Sequence, residues 1–212
     1  MDYEAARAIL IEHLRSEIRD ERVLEAMSLI PRELFVPPEE KSLAYEDRPL
    51  HIGYGQTISQ PYIIALMTSL LELSGKEKVL EVGTGSGYQA AILADLAKQV
   101  ITVERLPVLA GAAKRILDKL GYMNISVRIA EPTLGWQPEA PYDAIMVTAG
   151  APDIPDGLLH QLKIGGRMVI PVGSRYDQEL YRITKHKDRN VIENMGGCRF
   201  VSLIGEDAWA DE

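Results

Sequence analysis

The sequence predicts an α/β fold with a doubly wound, mostly parallel sheet, added N-terminal helices and a C-terminal antiparallel hairpin. Between Lys78 and Gly173, short apolar runs typical of buried strands alternate with helical patterns. This alternation is the pattern of right-handed βαβ units. The first forty residues show helical spacing only. Two strand-like runs joined by a short polar turn close the chain and predict an antiparallel pair.

The N-terminal region is predicted to be helical and then to become an ordered loop. Apolar residues recur at helical spacing from Tyr3, and Asp20 is a candidate cap for a second helix that ends before Pro31. The following stretch, as far as Gln56, is rich in proline, glycine and charge. Long loops in compact domains are often functional. An apolar helix is predicted to begin near Pro61.

The central region is predicted to alternate strand and helix. Its predicted strands are KVLEVG, VITVE, ISVRIA, YDAIMVTA and GGRMVIPVG. The clearest helices between them are YQAAILADLAK and PVLAGAAKRILDKLG, and the second has proline at its start and glycine at its stop. The segments QELYRITKHKD and VIENMGGCRFVSLIG form the predicted hairpin.

The bulk properties indicate a soluble cytoplasmic protein. The chain has 212 residues and a formal net charge of −8, with no basic block, which argues against nucleic acid or an anionic membrane as a partner. Cys198 is the only cysteine, which suits a reducing compartment. The charged N-terminus is not that of a signal peptide, and the apolar runs are far shorter than the ~20 residues of a membrane span.

A glycine-rich turn, GTGSG, is the first chemical signal. It follows the first strand of the sheet, and Gly83, Gly85 and Gly87 allow the backbone to pass close to a ligand at the start of a helix. A plain tight turn is the alternative, although three alternating glycines exceed what a turn requires. A dinucleotide fingerprint would need glycine at position 88, which is Tyr88.

Acidic residues on both strands beside this turn favour a nucleoside ligand. Glu81 lies on the strand before the turn, and Glu104 closes the next strand about 20 residues later, where a carboxylate can accept from both ribose hydroxyls. Alone, Glu104 would be an ordinary charged strand end. Together with the glycine turn, it resembles the S-adenosylmethionine-dependent methyltransferases of the Rossmann-like class.

A longer series of segments narrows the resemblance. PRELFVP, DRPLHIGYGQ, TISQPY, VLEVGTGSGYQAA, APYDAIMVTAGAP, LKIGGRMVIPVG and RFVSLIG occur in this order. Together they resemble the protein-L-isoaspartate O-methyltransferases from about residue 31 to 205. The resemblance implies methyl transfer from S-adenosyl-L-methionine to L-isoaspartyl carboxylates of damaged peptides and proteins, for protein repair. It also implies one domain over 1–212, with N-terminal helices and a substrate-side loop in 1–60, a cofactor-binding core in 61–173 and a hairpin and tail in 174–212.

The resemblance also assigns site residues. It places Ser59 in the active site with Thr57 as its neighbour, whereas spacing alone favours Ser59 as a cap of the helix that begins near Pro61. No metal is implied, because an ionised carboxylate attacking a sulfonium methyl needs neither a metal nor a general base. The residues implied to bind the cofactor are Glu81, Gly83, Thr84, Gly85, Ser86, Gly87, Glu104, Arg105 and Glu131.

One departure from the family pattern concerns the adenine end of the predicted cofactor site. The family has Gly-Asp-Gly after the third strand of the sheet, and this chain has Ala130-Glu131-Pro132. Glu131 keeps the charge on a longer side chain, and Pro132 lacks the backbone N–H. Two alternatives therefore accompany the main hypothesis: a methyltransferase that acts on another carboxylate or small molecule, and a non-catalytic relative that kept the fold.

Overall fold

A computed structural model describes residues 2–211. Six α-helices of the described chain are α1 (Tyr3–Leu14), α2 (Glu21–Leu29), α3 (Pro61–Leu70), α4 (Tyr88–Leu96), α5 (Pro107–Lys119) and α6 (Asp156–Gln161). Its strands are β1 (Leu50–Gly53), β2 (Gln56–Ile58), β3 (Lys78–Val82), β4 (Gln99–Glu104), β5 (Ile125–Ile129), β6 (Tyr142–Val147), β7 (Leu162–Gly173), β8 (Gln178–Lys185) and β9 (Asn190–Cys198). None of the helices within 2–211 is long and apolar enough to cross a membrane.

The central sheet has seven strands in the order β5-β4-β3-β6-β7-β8-β9. The first five of these strands pair in parallel, and β8 and β9 add antiparallel pairs at one edge. The chain moves outward from β3 through β4 to β5 and then returns to lay β6 on the other side of β3. The predicted doubly wound sheet with a C-terminal antiparallel hairpin is confirmed.

The core explains why the middle strands are almost entirely apolar. Helices cover both faces of a doubly wound sheet, so its central strands bury both sets of side chains. Leu80 of β3, Ile101 of β4 and Ile145 of β6 are 0% exposed. The N-terminal helices pack against α4, because Leu24 of α2 and Ile92 of α4 belong to one apolar cluster, separate from that of the three strand residues. Asp20 caps α2 as predicted, accepting a hydrogen bond from the N–H of Arg22.

The segment predicted as an ordered loop before α3 contains regular structure that the sequence analysis missed. Two 3-10 helices precede a small antiparallel hairpin of β1 and β2. Tyr54 and Gly55 form its two-residue turn, with φ values of 55° and 70°. Two positive φ values are the signature of a type I′ turn, in which tyrosine is an unusual first residue. The hairpin places Thr57 on β2, opposite His51.

The last predicted strand was wrong in its second half. Strand β9 ends at Cys198 and does not continue to Gly205. Gly196, with a φ of 105°, lies at a register shift within β9, and after Cys198 the chain crosses to the carboxyl end of β6. There Ser202 forms a parallel bridge with Gly150. This crossing segment, residues 199–204, becomes a wall of the cleft described next.

Candidate active site

A deep cleft lies where the sheet reverses its strand order. The chain leaves β3 toward β4 on one side and leaves β6 toward β7 on the other, and open α/β sheets bind ligands at such a point. The cleft encloses about 990 Å³, part of it open to solvent. Its walls come from the glycine turn after β3, the ends of β4 and β6, the β1–β2 hairpin and the crossing segment.

The glycine turn brings its backbone to the floor of this cleft. Gly83, Gly85 and Gly87 have φ values of 103°, 52° and 90°, in the region that side chains disfavour. A Cβ on Gly83 would overlap the hydroxyl of Thr148, so the close approach of β3 and β6 also requires glycine. The turn residues that line the cleft are Gly83, Thr84, Gly85 and Ser86.

Gly87, by contrast, does not line the cleft, and direct contact with a cofactor is not the role that the structure gives it. It is the left-handed residue that precedes α4. A Cβ there would lie 3.1 Å from the Cβ of Ala113 on α5. Gly87 therefore allows the turn to pack closely against α5.

Glu104 is the acidic group best placed for a ligand. It lies on the cleft wall and is only 6% exposed. Its carboxylate accepts from the N–H of Gly85 at 2.8 Å and from the N–H of Leu106 at 3.0 Å. A carboxylate has about four acceptor positions, so about two remain for hydroxyl donors in the cleft. The same bonds fix the glycine turn relative to β4.

Glu81 lies behind the turn and does not line the cleft, which differs from its predicted contact with a cofactor. Its side chain is 0% exposed and accepts a hydrogen bond from the Thr102 hydroxyl at 2.5 Å. The Thr102 and Thr84 hydroxyls share a further hydrogen bond of 2.6 Å. Burial raises the pKa of the Glu81 carboxyl to about 8, which the Thr102 hydrogen bond partly opposes. Glu81 can thus support the turn only through these two threonines.

The far end of the cleft contains the segment that departs from the family pattern. Ala130, Glu131 and Thr133 line it, and Pro132 does not. The Pro132 carbonyl accepts from the N–H of Glu206, which ties this loop to the C-terminal tail. Thr133, not Pro132, is therefore the next residue after Glu131 that lines the cleft.

Arg105 also lines the cleft, at its outer edge. Its guanidinium forms an exposed ion pair with Asp211 at 3.3 Å. An exposed pair of this kind contributes about 0–1 kcal/mol, so a ligand could displace it at little cost.

A second cavity, which we call the acceptor pocket, adjoins the cleft. It encloses about 670 Å³, part of it open to solvent, and shares with the cleft the residues Thr57, Ser59, Thr148, Phe200 and Val201. Ser59 and Thr57 therefore lie at the junction between the two cavities. Their hydroxyls form no hydrogen bond with any residue in the described range 2–211. The acceptor pocket is lined by Pro49, Thr57, Ser59, Gln60, Ile63, Thr148, Gly197, Cys198, Arg199, Phe200 and Val201.

The capping alternative for Ser59 is wrong, because another residue stabilises the start of α3. The N-cap residue is Gln60, and the Gln60 side chain does not cap the helix. Asp47, from the preceding loop, accepts from the N–H of Tyr62 at 2.8 Å and from the Gln60 side chain at 2.9 Å. This carboxylate satisfies an orphan N–H of the first turn. The Ser59 hydroxyl is thereby left to face the cavities.

Arg32 fixes the backbone of Ser59 and was missed by the sequence analysis. It is 0% exposed, and its guanidinium donates to the carbonyls of Ala44 and Ser59, both at 2.8 Å. The guanidinium also stacks 5.0 Å from the ring centroid of Tyr88. Burial lowers the pKa of Arg32 to about 10. A buried charge is costly, so its two carbonyl bonds indicate a positioning role for the segment around Ser59.

Thr148 was also missed as a site residue, although its segment was noted. It directly follows β6, and its hydroxyl donates to the carbonyls of Gly83 and Val82 at 2.6 and 3.0 Å. It lines both cavities. Its position at the carboxyl end of a central parallel strand is the signal that could have identified it.

Comparisons with known proteins agree with this architecture. Residues 5–208 match the family described as protein-L-isoaspartate(D-aspartate) O-methyltransferase (PCMT). The protein-L-isoaspartate O-methyltransferase of Geobacter metallireducens is 56% identical over 215 residues, covering 100% of both chains. That of Syntrophus aciditrophicus is 60% identical over 192 residues, covering 89% of this chain and 88% of its own.

Solved structures show the same similarity in three dimensions. One protein-L-isoaspartate O-methyltransferase superimposes with a TM-score of 0.84 at 30% identity, covering 95% of this chain and 67% of its own. A Plasmodium falciparum structure described by the same activity, in complex with S-adenosyl-L-homocysteine, has a TM-score of 0.82 at 27% identity and covers 96% and 99%. From the match over residues 5–208 and the full-length relatives, the chain belongs to the protein-L-isoaspartate(D-aspartate) O-methyltransferase family.

Proposed function

We propose that this protein transfers a methyl group from S-adenosyl-L-methionine to the free carboxylate of L-isoaspartyl residues in damaged proteins, as a repair enzyme. Membership of the family supports this activity and this cofactor. The single observation that carries the proposal is the junction of the cleft and the acceptor pocket at Thr57, Ser59 and Thr148. A methyl donor in one cavity and a peptide in the other would meet at this junction.

The chemistry of the residues present fits this cofactor. S-adenosyl-L-methionine, when bound, supplies an electrophilic methyl group on a positively charged sulfur. The two free acceptor positions of Glu104 match the two hydroxyls of a ribose. We assign cofactor contacts to Gly83, Thr84, Gly85, Ser86, Glu104, Arg105 and Glu131, and a supporting role to Glu81 and Gly87.

The side chains at the junction suit a carboxylate nucleophile. A carboxylate is ionised at neutral pH, so this acceptor needs no general base. Hydroxyls of Ser59 and Thr57 would donate to one carboxylate oxygen and leave the other aimed at the donor. Such positioning supplies a large part of a rate enhancement when the reacting atoms are aligned. Phe200 and Val201 line both cavities and would exclude water from the nucleophile.

Repair follows from the product. A methyl ester has a better leaving group than a carboxylate, so the next backbone nitrogen can displace methanol and close a succinimide. Water reopens this ring partly to normal aspartate. The substrate is therefore a flexible peptide segment, and the net charge of −8 supports a polypeptide acceptor in preference to nucleic acid.

We also propose how the chain divides and where it works. Residues 1–60 would form the substrate side, residues 61–173 the cofactor core, and residues 174–212 the hairpin and tail of one domain. The free, half-buried Cys198 and the absence of any other cysteine in the sequence support a cytoplasmic location.

A paired-peptide assay tests the proposed function. The protein is incubated with radiolabelled donor and two peptides of one sequence, one with isoaspartate and one with aspartate, and base-labile methyl ester is measured. We expect label in the isoaspartyl peptide and little in its partner. Label in a small carboxylic acid instead would favour a different acceptor, and donor binding without any transfer would favour a non-catalytic relative.

A further inference from the structure

The acceptor pocket contains a single charged side chain. Of the eleven residues that line it, only Arg199 carries a charge. The other ionisable group, Cys198, stays a neutral thiol, because burial raises its pKa to about 11. The pocket thus presents one cation, on an exposed residue, among hydroxyl, amide and apolar groups that include Ser59.

No carboxylate within residues 2–211 forms an ion pair with Arg199. This distinguishes it from arginines on the neighbouring strands: Arg182 of β8 and Arg167 of β7 both pair with Glu72 at 2.7 Å. An unpaired guanidinium in a chain with an excess of acidic residues attracts anions locally, and it favours carboxylates because its donors match their geometry.

The position of Arg199 indicates which part of the reaction it serves. Thr57, Ser59 and Thr148 line both cavities, whereas Arg199 lines only the acceptor pocket. It therefore lies on the side of the junction away from the methyl donor. A group placed there can strengthen binding of the peptide without stabilising the transfer itself, and such uniform binding lowers KM and leaves kcat unchanged.

We propose that Arg199 makes the acceptor pocket a carboxylate-binding subsite that determines peptide affinity. This proposal rests on the proposed function, since it takes the acceptor to be a peptide. Two sources supply the same chemistry: the isoaspartyl carboxylate before it reacts, and the acidic side chain of a residue beside the isoaspartate. In the first case the methyl ester no longer carries the charge of the substrate, so the product would bind the pocket more weakly than the substrate does.

The test compares three variants. Arg199→Gln removes the charge, Arg199→Lys keeps it, and Arg189→Gln removes the same charge from the exposed β8–β9 turn, outside both cavities. The peptides contain isoaspartate with neutral neighbours, or with glutamate on either side. For Arg199→Gln we expect KM to rise roughly 3–10-fold at low salt, less at 0.5 M salt, with affinity for S-adenosylhomocysteine unchanged. The kcat should be unchanged if Arg199 binds a neighbouring acid, and should not fall if Arg199 binds the isoaspartyl carboxylate, because the charge of that group is lost during transfer. Arg199→Lys should recover most of the loss, and Arg189→Gln should match the wild type.

The peptide series distinguishes the two sources. An equal rise in KM for all peptides assigns Arg199 to the isoaspartyl carboxylate, and a rise confined to glutamate-containing peptides assigns it to a neighbouring acid. An unchanged KM in Arg199→Gln for every peptide, or an equal effect of Arg189→Gln, overturns the subsite. Failure of the wild type to methylate any peptide would instead count against the proposed function. Anisotropy of a fluorescent isoaspartyl peptide then makes the same Arg199 comparison without turnover.

Discussion

Replacing Glu104 should weaken the cofactor site and the fold together. In Glu104→Ala, the N–H groups of Gly85 and Leu106 lose their acceptor, and a ribose loses its carboxylate. Glu104→Gln is the sharper variant, because its single amide oxygen can accept from only one of these two N–H groups. The glutamine therefore retains the size of the side chain while removing half of its accepting capacity.

The expected magnitude follows from the number of bonds. A hydrogen bond to a charged group contributes about 1.5–3 kcal/mol, and the two bonds within the chain are 2.8 and 3.0 Å long in a nearly buried site. We therefore expect Glu104→Ala to destabilise the protein by roughly 2–4 kcal/mol, since such losses are rarely additive. Loss of the ribose contacts should weaken S-adenosylhomocysteine binding at least roughly tenfold.

Calorimetric titration and urea unfolding of both variants measure these two losses separately. S-adenosylhomocysteine is the suitable ligand, because it carries the same ribose as the donor and does not react. Glu104→Gln should lie between the wild type and Glu104→Ala in both measurements. Wild-type affinity in a folded Glu104→Ala protein would refute the reasoning, because Glu104 would then be only a structural support for the glycine turn.

Three other substitutions give separable outcomes. Ser59→Ala should lower kcat roughly 10–100-fold by misplacing the acceptor, with an unchanged melting temperature because Asp47 caps α3; a lower melting temperature with full turnover would contradict this. Burial raises the pKa of Glu81 to about 8, so the free energy of unfolding of the wild type should fall as pH rises from 5 to 8, by at most about 1.4 kcal/mol per pH unit. Glu81→Gln has no group to ionise there, so its stability relative to the wild type should increase over the same range. Urea midpoints of the two proteins that stay parallel across pH would contradict this. Arg32→Met should lower kcat roughly tenfold by releasing the Ser59 carbonyl, and Arg32→Lys should recover part of the loss; equal kcat in a folded Arg32→Met variant would exclude the positioning role.

The sequence was sufficient for the features that local chemistry determines. The alternation of apolar strands and helices predicted the parallel sheet, and the glycine turn with Glu104 predicted the position of the cleft. The Asp20 cap was also correct. Each of these depends on neighbours in sequence or on a topological rule that holds for all doubly wound sheets.

Several features that the sequence analysis missed depend on contacts between distant segments. Arg32 reaches Ser59 across 27 residues of chain, and Gly150 pairs with Ser202 across a still longer separation. Spacing alone also favoured Ser59 as the cap of α3. It could not identify Asp47, because that side chain approaches the helix from a preceding loop and not from the N-cap position.

The most direct test of the central claim is the fate of a single isoaspartyl peptide. The peptide is incubated with the protein and donor through repeated cycles of methylation and hydrolysis, and chromatography separates its isoaspartyl, succinimidyl and aspartyl forms. If the two cavities meet at Thr57, Ser59 and Thr148 to methylate this carboxylate, the isoaspartyl form should decline while succinimide appears and aspartyl peptide accumulates. An isoaspartyl peptide that stays unchanged in the presence of donor and folded protein would contradict the account.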